Sequence, residues 1–105
     1  MLLSDPVAES INALNEKQRA IYTRDVVRIG DALLSSTKAY RINYETWGNS
    51  EPALHTHIAP RYVDEPEDKR RKPACMGYDW SASPFFDADR NGPFVAKMRA
   101  LLAAS

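Results

Sequence analysis

The chain of 105 residues has little of several features that would place it in a specialised class of protein. Its single cysteine, Cys75, excludes an internal disulfide and any zinc site built from several thiolates. No uninterrupted apolar run approaches the roughly 20 residues that a membrane-spanning helix needs. The segment from Met1 to Ala8 carries Asp5 and no basic residue, unlike a secretory signal. We therefore expect a cytoplasmic protein with no membrane partner.

The chain also has no net charge at pH 7. Lys plus Arg and Asp plus Glu each number 14, so the formal net charge is zero. This balance gives no whole-surface attraction to nucleic acid, and we expect no nucleic-acid partner. Any affinity for phosphate must come from the local arrangement of side chains. The hydrophobic share of 44% is ordinary for a globular protein, and the length predicts one small domain over residues 1–105.

The longest periodic segment predicts an amphipathic helix from about Glu16 to Thr37. Asn15 and Gln18 have the spacing of a capping box at its start. Apolar residues then recur at helical spacing along one stripe. The residues of this stripe that should face the core are Tyr22, Val26, Ile29 and Leu33.

Two segments with alternating polarity follow, and they predict an antiparallel hairpin. The first runs from Tyr40 to Thr46, and turn-forming residues from Gly48 to Pro52 connect it to the second. In the second segment, Leu54, Thr56 and Ile58 share one face, and His55, His57 and Ala59 share the other. We expect the helix to cover one face of this sheet and both histidines to line the opposite face.

The rest of the chain gives weaker patterns. Leu2 and Leu3 fit either a frayed terminus or the last residues of a strand. The basic run from Lys69 to Lys72 fits either a solvated loop or a contribution to binding phosphate chains. Aromatic residues that we expect to pack on the sheet or on a partner are Tyr78, Trp80, Phe85 and Phe86. A short helix is predicted from about Pro93 to Ala103, with its inward side formed by Phe94, Met98 and Leu101 or Leu102.

Both histidines of the chain lie in the second predicted strand. Alternate residues of a strand point to the same face, about 6.6 Å apart. One imidazole can then attack a phosphorus atom while its neighbour contacts the same phosphate, since neutral imidazole is available near pH 7. Taken without their neighbours, two alternating histidines on an exposed strand face are usually surface residues or an incidental metal pair. A zinc site would need a third or fourth ligand, so we expect no metal. Attack by an imidazole also needs no organic cofactor, and we expect none.

The block from Asn43 to Tyr62 resembles the signature of the histidine-triad (HIT) family. That motif is His-x-His-x-His-x-x with hydrophobic x positions, and Thr56 replaces one hydrophobic x here. The Asn-Tyr-Glu run, the Gly-Asn turn and the proline before the histidines are similar to the branch that resembles diadenosine tetraphosphate hydrolases. The resemblance extends from about Leu2 to Trp80.

This resemblance implies an α+β fold in which a long helix packs on an antiparallel sheet, with a short C-terminal helix. Members of the family begin with further strands that build the base and ribose pocket. The resemblance therefore implies that residues 1–105 form a partial HIT domain, its C-terminal, motif-bearing portion.

The resemblance also implies roles for individual residues. His55 matches the middle histidine, which in the family attacks the α-phosphorus and becomes nucleotidylated. His57 matches the third histidine, which contacts phosphate and assists the leaving group. Ala53 replaces the first histidine, whose backbone carbonyl orients the nucleophile in the family, and alanine keeps that carbonyl. Polar contacts to ribose or phosphate would come from Asn43, Asn49 and Ser50.

Two of these assignments have structural alternatives. Asn49 and Ser50 are also residues that cap backbone groups in hairpin turns. Arg61 has a position typical of the family, and we expect it to be a salt-bridged structural arginine.

The implied function is a nucleotide hydrolase or transferase that cleaves a phosphoanhydride or phosphoramidate bond at the α-phosphate. The substrate would be a dinucleoside polyphosphate or a nucleoside phosphoramidate. Two alternatives stay open: a non-catalytic nucleotide-binding protein, and a structural dimer without a ligand. A two-stranded hairpin is marginally stable and has unpaired edges, so we expect a homodimer with Trp80 or Phe85 near its contact.

Overall fold

The computed structural model describes residues 1–105 and contains a three-stranded antiparallel sheet with strand order β1-β3-β2. The strands are β1 (Leu2–Leu3), β2 (Arg41–Glu45) and β3 (His55–Arg61). The helices are α1 (Glu16–Ser36), α2 (Glu67–Arg70), α3 (Ala74–Gly77) and α4 (Ala88–Ala104), and 3-10 turns occupy Ile11–Ala13 and Trp80–Ala82. None of these helices combines the length and the apolar run that crossing a bilayer requires.

Helix α1 begins where the sequence predicts because side chains cap its first turn. Asn15 Oδ1 accepts from the Gln18 N–H and Gln18 Oε1 accepts from the Asn15 N–H, each at 2.9 Å. At the other end, the Thr37 hydroxyl donates to the Leu33 carbonyl at 2.7 Å. The predicted helix and its capping box are confirmed.

The apolar stripe of α1 packs against the sheet. Tyr22, Val26 and Leu33 are buried as predicted, and Ile29 is half-buried. The core cluster consists of Leu14, Tyr22, Val26 and Leu54, with Leu2, Ala8 and Ile58 packed against it. Burial of this apolar surface is the main favourable contribution that holds α1 to the strands.

Thr56 fixes which face of β3 meets α1. Its side chain is 1% exposed. The Thr56 hydroxyl lies 2.7 Å from the Tyr22 hydroxyl and 2.8 Å from the Thr46 hydroxyl. Because side chains alternate along a strand, His55 and His57 point to the other face. The predicted arrangement, with α1 on one face and both histidines on the opposite face, is confirmed.

The predicted hairpin is confirmed as the antiparallel pair β2 and β3. Its register pairs Arg41 with Arg61 and Glu45 with His57, so alternate residues of β2 share a face with the histidines. Gly48 lies in the connecting turn with a φ of 107°, a conformation that glycine adopts at little cost. On the other side of β3, the Leu2–Leu3 segment forms a strand and is not frayed.

The C-terminal helix is longer than predicted. It contains 17 residues and starts at Ala88. The Asp87 side chain caps it by accepting from the Asp89 N–H at 2.9 Å and the Arg90 N–H at 3.4 Å. This cap lies upstream of Pro93, the residue that was predicted to open the helix. Pro93 therefore lies inside α4.

The predicted inward position of one aromatic residue of α4 is wrong. Phe94 is 43% exposed, whereas Met98, Leu101 and Leu102, which were also predicted to face inward, are half-buried. The exposed fractions of Trp80, Phe85 and Phe86 are 58%, 96% and 69%, so most of each side chain is open to solvent, and Trp80 lies at a cavity lined by Ile58, Ala59 and Pro60 of β3. The packing of these three aromatic side chains on a partner stays a prediction.

A buried ion pair holds the segment after β3 onto the sheet. The Arg61 side chain is 3% exposed, and its Nη2 lies 3.1 Å from Glu65 Oε1. The same guanidinium donates to the backbone oxygens of Lys69 at 2.9 Å and Lys72 at 2.6 Å. The predicted structural role of Arg61 agrees with these contacts. The segment from Tyr62 to Pro73, which contains α2, is thereby fixed in place.

The ion pair strongly affects the titration of its carboxyl group. The hydrogen bond from Arg61 lowers the pKa of Glu65 from 4.5 to about 2, against the opposing effect of burial. The Tyr78 hydroxyl also donates to Glu65, and this contact contributes to the lowered pKa of Glu65. A carboxyl group with a lowered pKa stabilises the folded state above its unfolded pKa, and that contribution is lost as the pH falls toward 2.

We predict that Glu65→Gln lowers the free energy of unfolding at pH 7 by about 3–5 kcal/mol, because it leaves a buried guanidinium without its counter-charge. The difference from the wild type should shrink as the pH falls from about 4.5 toward 2. Urea unfolding, followed by circular dichroism at pH 7 and pH 3, measures this difference in the free energy of unfolding. The control is Glu67→Gln, which removes an exposed ion pair with Arg71 and should cost at most about 1 kcal/mol. Equal losses in both variants would contradict the buried network.

Candidate active site

The two histidines stand side by side on the open face of β3. Their ring centroids are 5.3 Å apart and the ring planes meet at 86°. His57 is exposed and His55 is half-buried, so a ligand can approach both rings from solvent. The arrangement follows from their spacing on a strand, which places alternate side chains next to each other on one face.

A backbone carbonyl holds the ring of His55. His55 Nδ1 lies 2.7 Å from the Ala53 oxygen. Since a carbonyl oxygen only accepts hydrogen bonds, this contact requires the proton to be on Nδ1. In the neutral ring Nε2 then carries a lone pair. Because the partner is a backbone oxygen, the contact does not depend on the side chain at position 53. The catalytic role of this contact stays a prediction.

The turn between β2 and β3 forms one wall of a cavity of about 450 Å³ beside the histidines. Its lining includes Asn49 and Ser50 together with both imidazoles. Asn49 and Ser50 are exposed, so their polar atoms can face a ligand. Glu51 stabilises the turn by accepting from the Ala53 N–H at 3.2 Å. Four of the residues predicted from the sequence therefore lie around one cavity.

Asn43 is not among them. Its Oδ1 accepts from Arg61 Nη1 at 2.6 Å, and it lines a different cavity along β2. Asn43 shares a sheet face with the histidines, but the buried guanidinium occupies its side-chain oxygen. The structure gives no support for a contact between Asn43 and a phosphate held at His55.

Glu45 is a part of the site that the sequence pattern did not single out. It lies opposite His57 in the register, is 8% exposed, and accepts from the Ala74 N–H at 3.0 Å. This hydrogen bond holds α3, and with it Cys75, beside His57. The alternating pattern of β2 could have identified Glu45, because it assigns Glu45 to the histidine face once the register is known.

Cys75 lines the same cavity as the histidines. Partial desolvation raises the pKa of its thiol, and the negative charge of the neighbouring Glu45 raises it further. The thiol therefore stays protonated near neutral pH, where a thiolate would be needed for nucleophilic attack. His55 and His57 are the side chains of this cavity whose chemistry suits an attack on phosphorus.

Two solved structures have a fold similar to that of this chain. No protein-family model matches the chain, and no curated protein matches it. A crystal structure of a histidine triad protein from Bradyrhizobium japonicum matches with a TM-score of 0.79 and 27% identity, over 92% of this chain and 69% of that one. A histidine triad (HIT) protein from Sinorhizobium meliloti matches with a TM-score of 0.73 and 20% identity, over 88% and 64%.

The chain thus spans 69% and 64% of the lengths of these two proteins. The long helix, the three-stranded antiparallel sheet and the C-terminal helix match their fold. The predicted α+β, HIT-like fold is confirmed, and the similarity supports a relationship to the histidine-triad family.

Proposed function

We propose that the protein is a HIT-type nucleotide hydrolase or transferase. It cleaves a phosphoanhydride or phosphoramidate bond at the α-phosphate of a dinucleoside polyphosphate or a nucleoside phosphoramidate. The observation that carries this proposal is the 2.7 Å contact between His55 Nδ1 and the Ala53 carbonyl, which directs the lone pair to Nε2. The similarity to solved histidine triad proteins supports it.

In the first step, His55 Nε2 attacks the α-phosphorus. A bond forms between nitrogen and phosphorus, and the bond from phosphorus to the bridging oxygen or nitrogen breaks. His57, whose ring centroid lies 5.3 Å from that of His55, gives a proton to the leaving group. The Ala53 carbonyl stabilises the positive charge that develops on the attacking ring, because Nδ1–H continues to donate to it.

In the second step, water attacks the phosphorus of the nucleotidyl-histidine. His57, now neutral, takes a proton from this water. The bond between His55 Nε2 and phosphorus breaks, and a nucleoside monophosphate leaves. An acceptor other than water would make the same step a transfer. The side chains supply both the nucleophile and the acid, so we propose that this chemistry needs neither a metal nor an organic cofactor.

The finer assignments are part of the same proposal. Asn49 and Ser50 lie in the wall of the histidine cavity and would donate hydrogen bonds to phosphate or ribose oxygens. The Asn-Tyr-Glu run and the Gly-Asn turn favour the branch that resembles diadenosine tetraphosphate hydrolases. A cytoplasmic location fits the single cysteine, which forms no internal disulfide.

A non-catalytic nucleotide-binding protein is the second candidate. It is favoured by Ala53, since the first histidine of the motif is missing. Such a protein would hold a nucleotide at His55 and His57 without forming the covalent intermediate. Covalent labelling therefore separates the two candidates, and nucleotide titration by calorimetry separates both from a protein that binds no nucleotide.

We predict that His55→Ala abolishes both turnover and covalent labelling by an adenylate donor, measured by intact-mass spectrometry. His57→Ala should slow turnover by about 10²–10⁴, because it removes the general acid, yet keep labelling when the leaving group needs no proton. Ala53→His should change the rate only modestly, since the carbonyl is already present. Unchanged hydrolysis in His55→Ala would contradict the assignment of the nucleophile. A gain of several orders of magnitude in Ala53→His would identify a disabled enzyme.

We also propose that the protein is a homodimer. Trp80 and Phe85 are 58% and 96% exposed, and burial of such aromatic side chains is a common contribution to interfaces. Sedimentation velocity at micromolar concentration should show a dimer that Phe85→Ser weakens. The control Val63→Ser removes another side chain that is 64% exposed, and it should leave the dimer intact. A compact monomer of the wild type would contradict the proposal.

A further inference from the structure

A basic groove of about 770 Å³ runs along the outer edge of β2. Its cations are Arg41, which belongs to the strand, and Arg70, Arg71 and Lys72, which come from α2 and the residues that follow it. Arg70 is held in place, because its Nη1 donates to the Val63 carbonyl at 2.9 Å. The fold thus brings positive charges from two separate segments of the chain to one side of the sheet.

Most of this positive charge is not compensated. Arg71 pairs with Glu67 at 2.7 Å. Arg41, Arg70 and Lys72 take part in none of the ion pairs of the structure. The net charge of zero, from which we expected no nucleic-acid partner, averages over the whole surface, whereas a ligand meets the local charge. The basic groove therefore suits a polyanion even though the chain as a whole is neutral.

Exposed aromatic rings line the same groove. They belong to Tyr40, Tyr44 and Trp47, and the indole of Trp47 is 60% exposed. The Tyr44 ring is fixed by α1, since a Cβ at position 30 would collide with its hydroxyl and Gly30 leaves that space free. An extended chain from Tyr40 to Trp47 spans roughly 23 Å, which is enough for several nucleotides. Exposed rings beside cations are the combination that binds a single strand, whose bases stack while its phosphates meet the charges.

Two simpler explanations account for part of the groove. Protection of an edge strand explains a cation on β2, but not Arg70 and Lys72, which come from another segment. An acidic protein segment would match the cations, but it gives no reason for three exposed rings beside them. A nucleic-acid duplex matches the cations as well, yet its bases are already stacked on one another. A single strand uses both the cations and the rings.

We infer that the basic groove binds single-stranded RNA, with phosphates at Arg41, Arg70 and Lys72 and bases stacked on the exposed rings. RNA is the single-stranded nucleic acid of the cytoplasm, where we expect this protein. Recognition is independent of sequence, because every base offers a face for stacking. The inference goes beyond the proposed hydrolase, since the groove cations and His55 line different cavities.

The test of the charges uses a fluorescein-labelled uridine octanucleotide, with fluorescence anisotropy measured over a range of salt concentrations. Three phosphate contacts predict a slope of about −2 for the logarithm of the binding constant against that of the salt concentration. Arg41→Gln/Lys72→Gln should reduce this slope to about −0.7 and weaken binding by roughly tenfold or more. The control Lys17→Gln/Lys97→Gln has the same net charge, lies outside the groove and should bind like the wild type.

The test of stacking uses Trp47→Ala, which should weaken binding by roughly tenfold and leave the salt slope unchanged. Its control, Phe86→Ala, removes an exposed ring outside the groove and should have no effect. His55→Ala should bind the RNA like the wild type, so RNA binding is tested separately from hydrolysis. Loss of binding in His55→Ala would place the RNA in the histidine cavity and overturn the inference.

Three further outcomes would also overturn it. The first is no binding of the octanucleotide by the wild type, or equal losses in a groove variant and its control. The second is equally tight binding of an RNA duplex of the same length, which would show that the rings do not stack on bases. The third is displacement of the RNA by a glutamate octapeptide at equal concentration, which would assign the groove to an acidic protein segment.

Discussion

The hydroxyl of Thr56 is the contact on which the placement of the site depends. It is buried between the hydroxyls of Tyr22 and Thr46, at 2.7 Å and 2.8 Å. If the pairing register of β3 shifted by one residue, the Thr56 hydroxyl would move to the exposed face of the sheet. Both histidines would then lie beneath α1. Thr56 replaces a hydrophobic residue of the motif, and the polar partner on α1 makes the replacement stable. The buried hydrogen bonds thus determine which face of the sheet is open to a ligand.

The site itself is built from backbone and carboxylate contacts around two imidazoles. The Ala53 carbonyl orients His55, and Glu45 holds the segment that carries Cys75 next to His57. The ion pair of Arg61 with Glu65 fixes the chain between that segment and β3. These contacts are buried or half-buried, so the histidine face is shaped before a ligand arrives, and the ligand does not have to order it.

The local patterns of the sequence predicted the local structure. The capping box at Asn15 and the alternation around His55 depend on neighbours within four residues, and both are confirmed. The contacts that were missed join distant parts of the chain, such as Glu45 with Ala74 across 29 positions. The burial predicted for Phe94 was wrong for a related reason, because hydrophobicity predicts burial without naming the surface that provides it. The cap at Asp87 was overlooked because Pro93 is a stronger marker of a helix start.

The role of Ala53 is tested most directly by the tautomer of His55. Long-range proton–nitrogen NMR correlations identify which ring nitrogen carries the proton in a neutral imidazole. The His57→Ala variant leaves His55 as the only histidine, so the assignment is unambiguous. The 2.7 Å contact predicts a proton on Nδ1 and a bare Nε2, ready to attack phosphorus. A neutral ring protonated on Nε2 would contradict the orientation of the nucleophile by the Ala53 carbonyl.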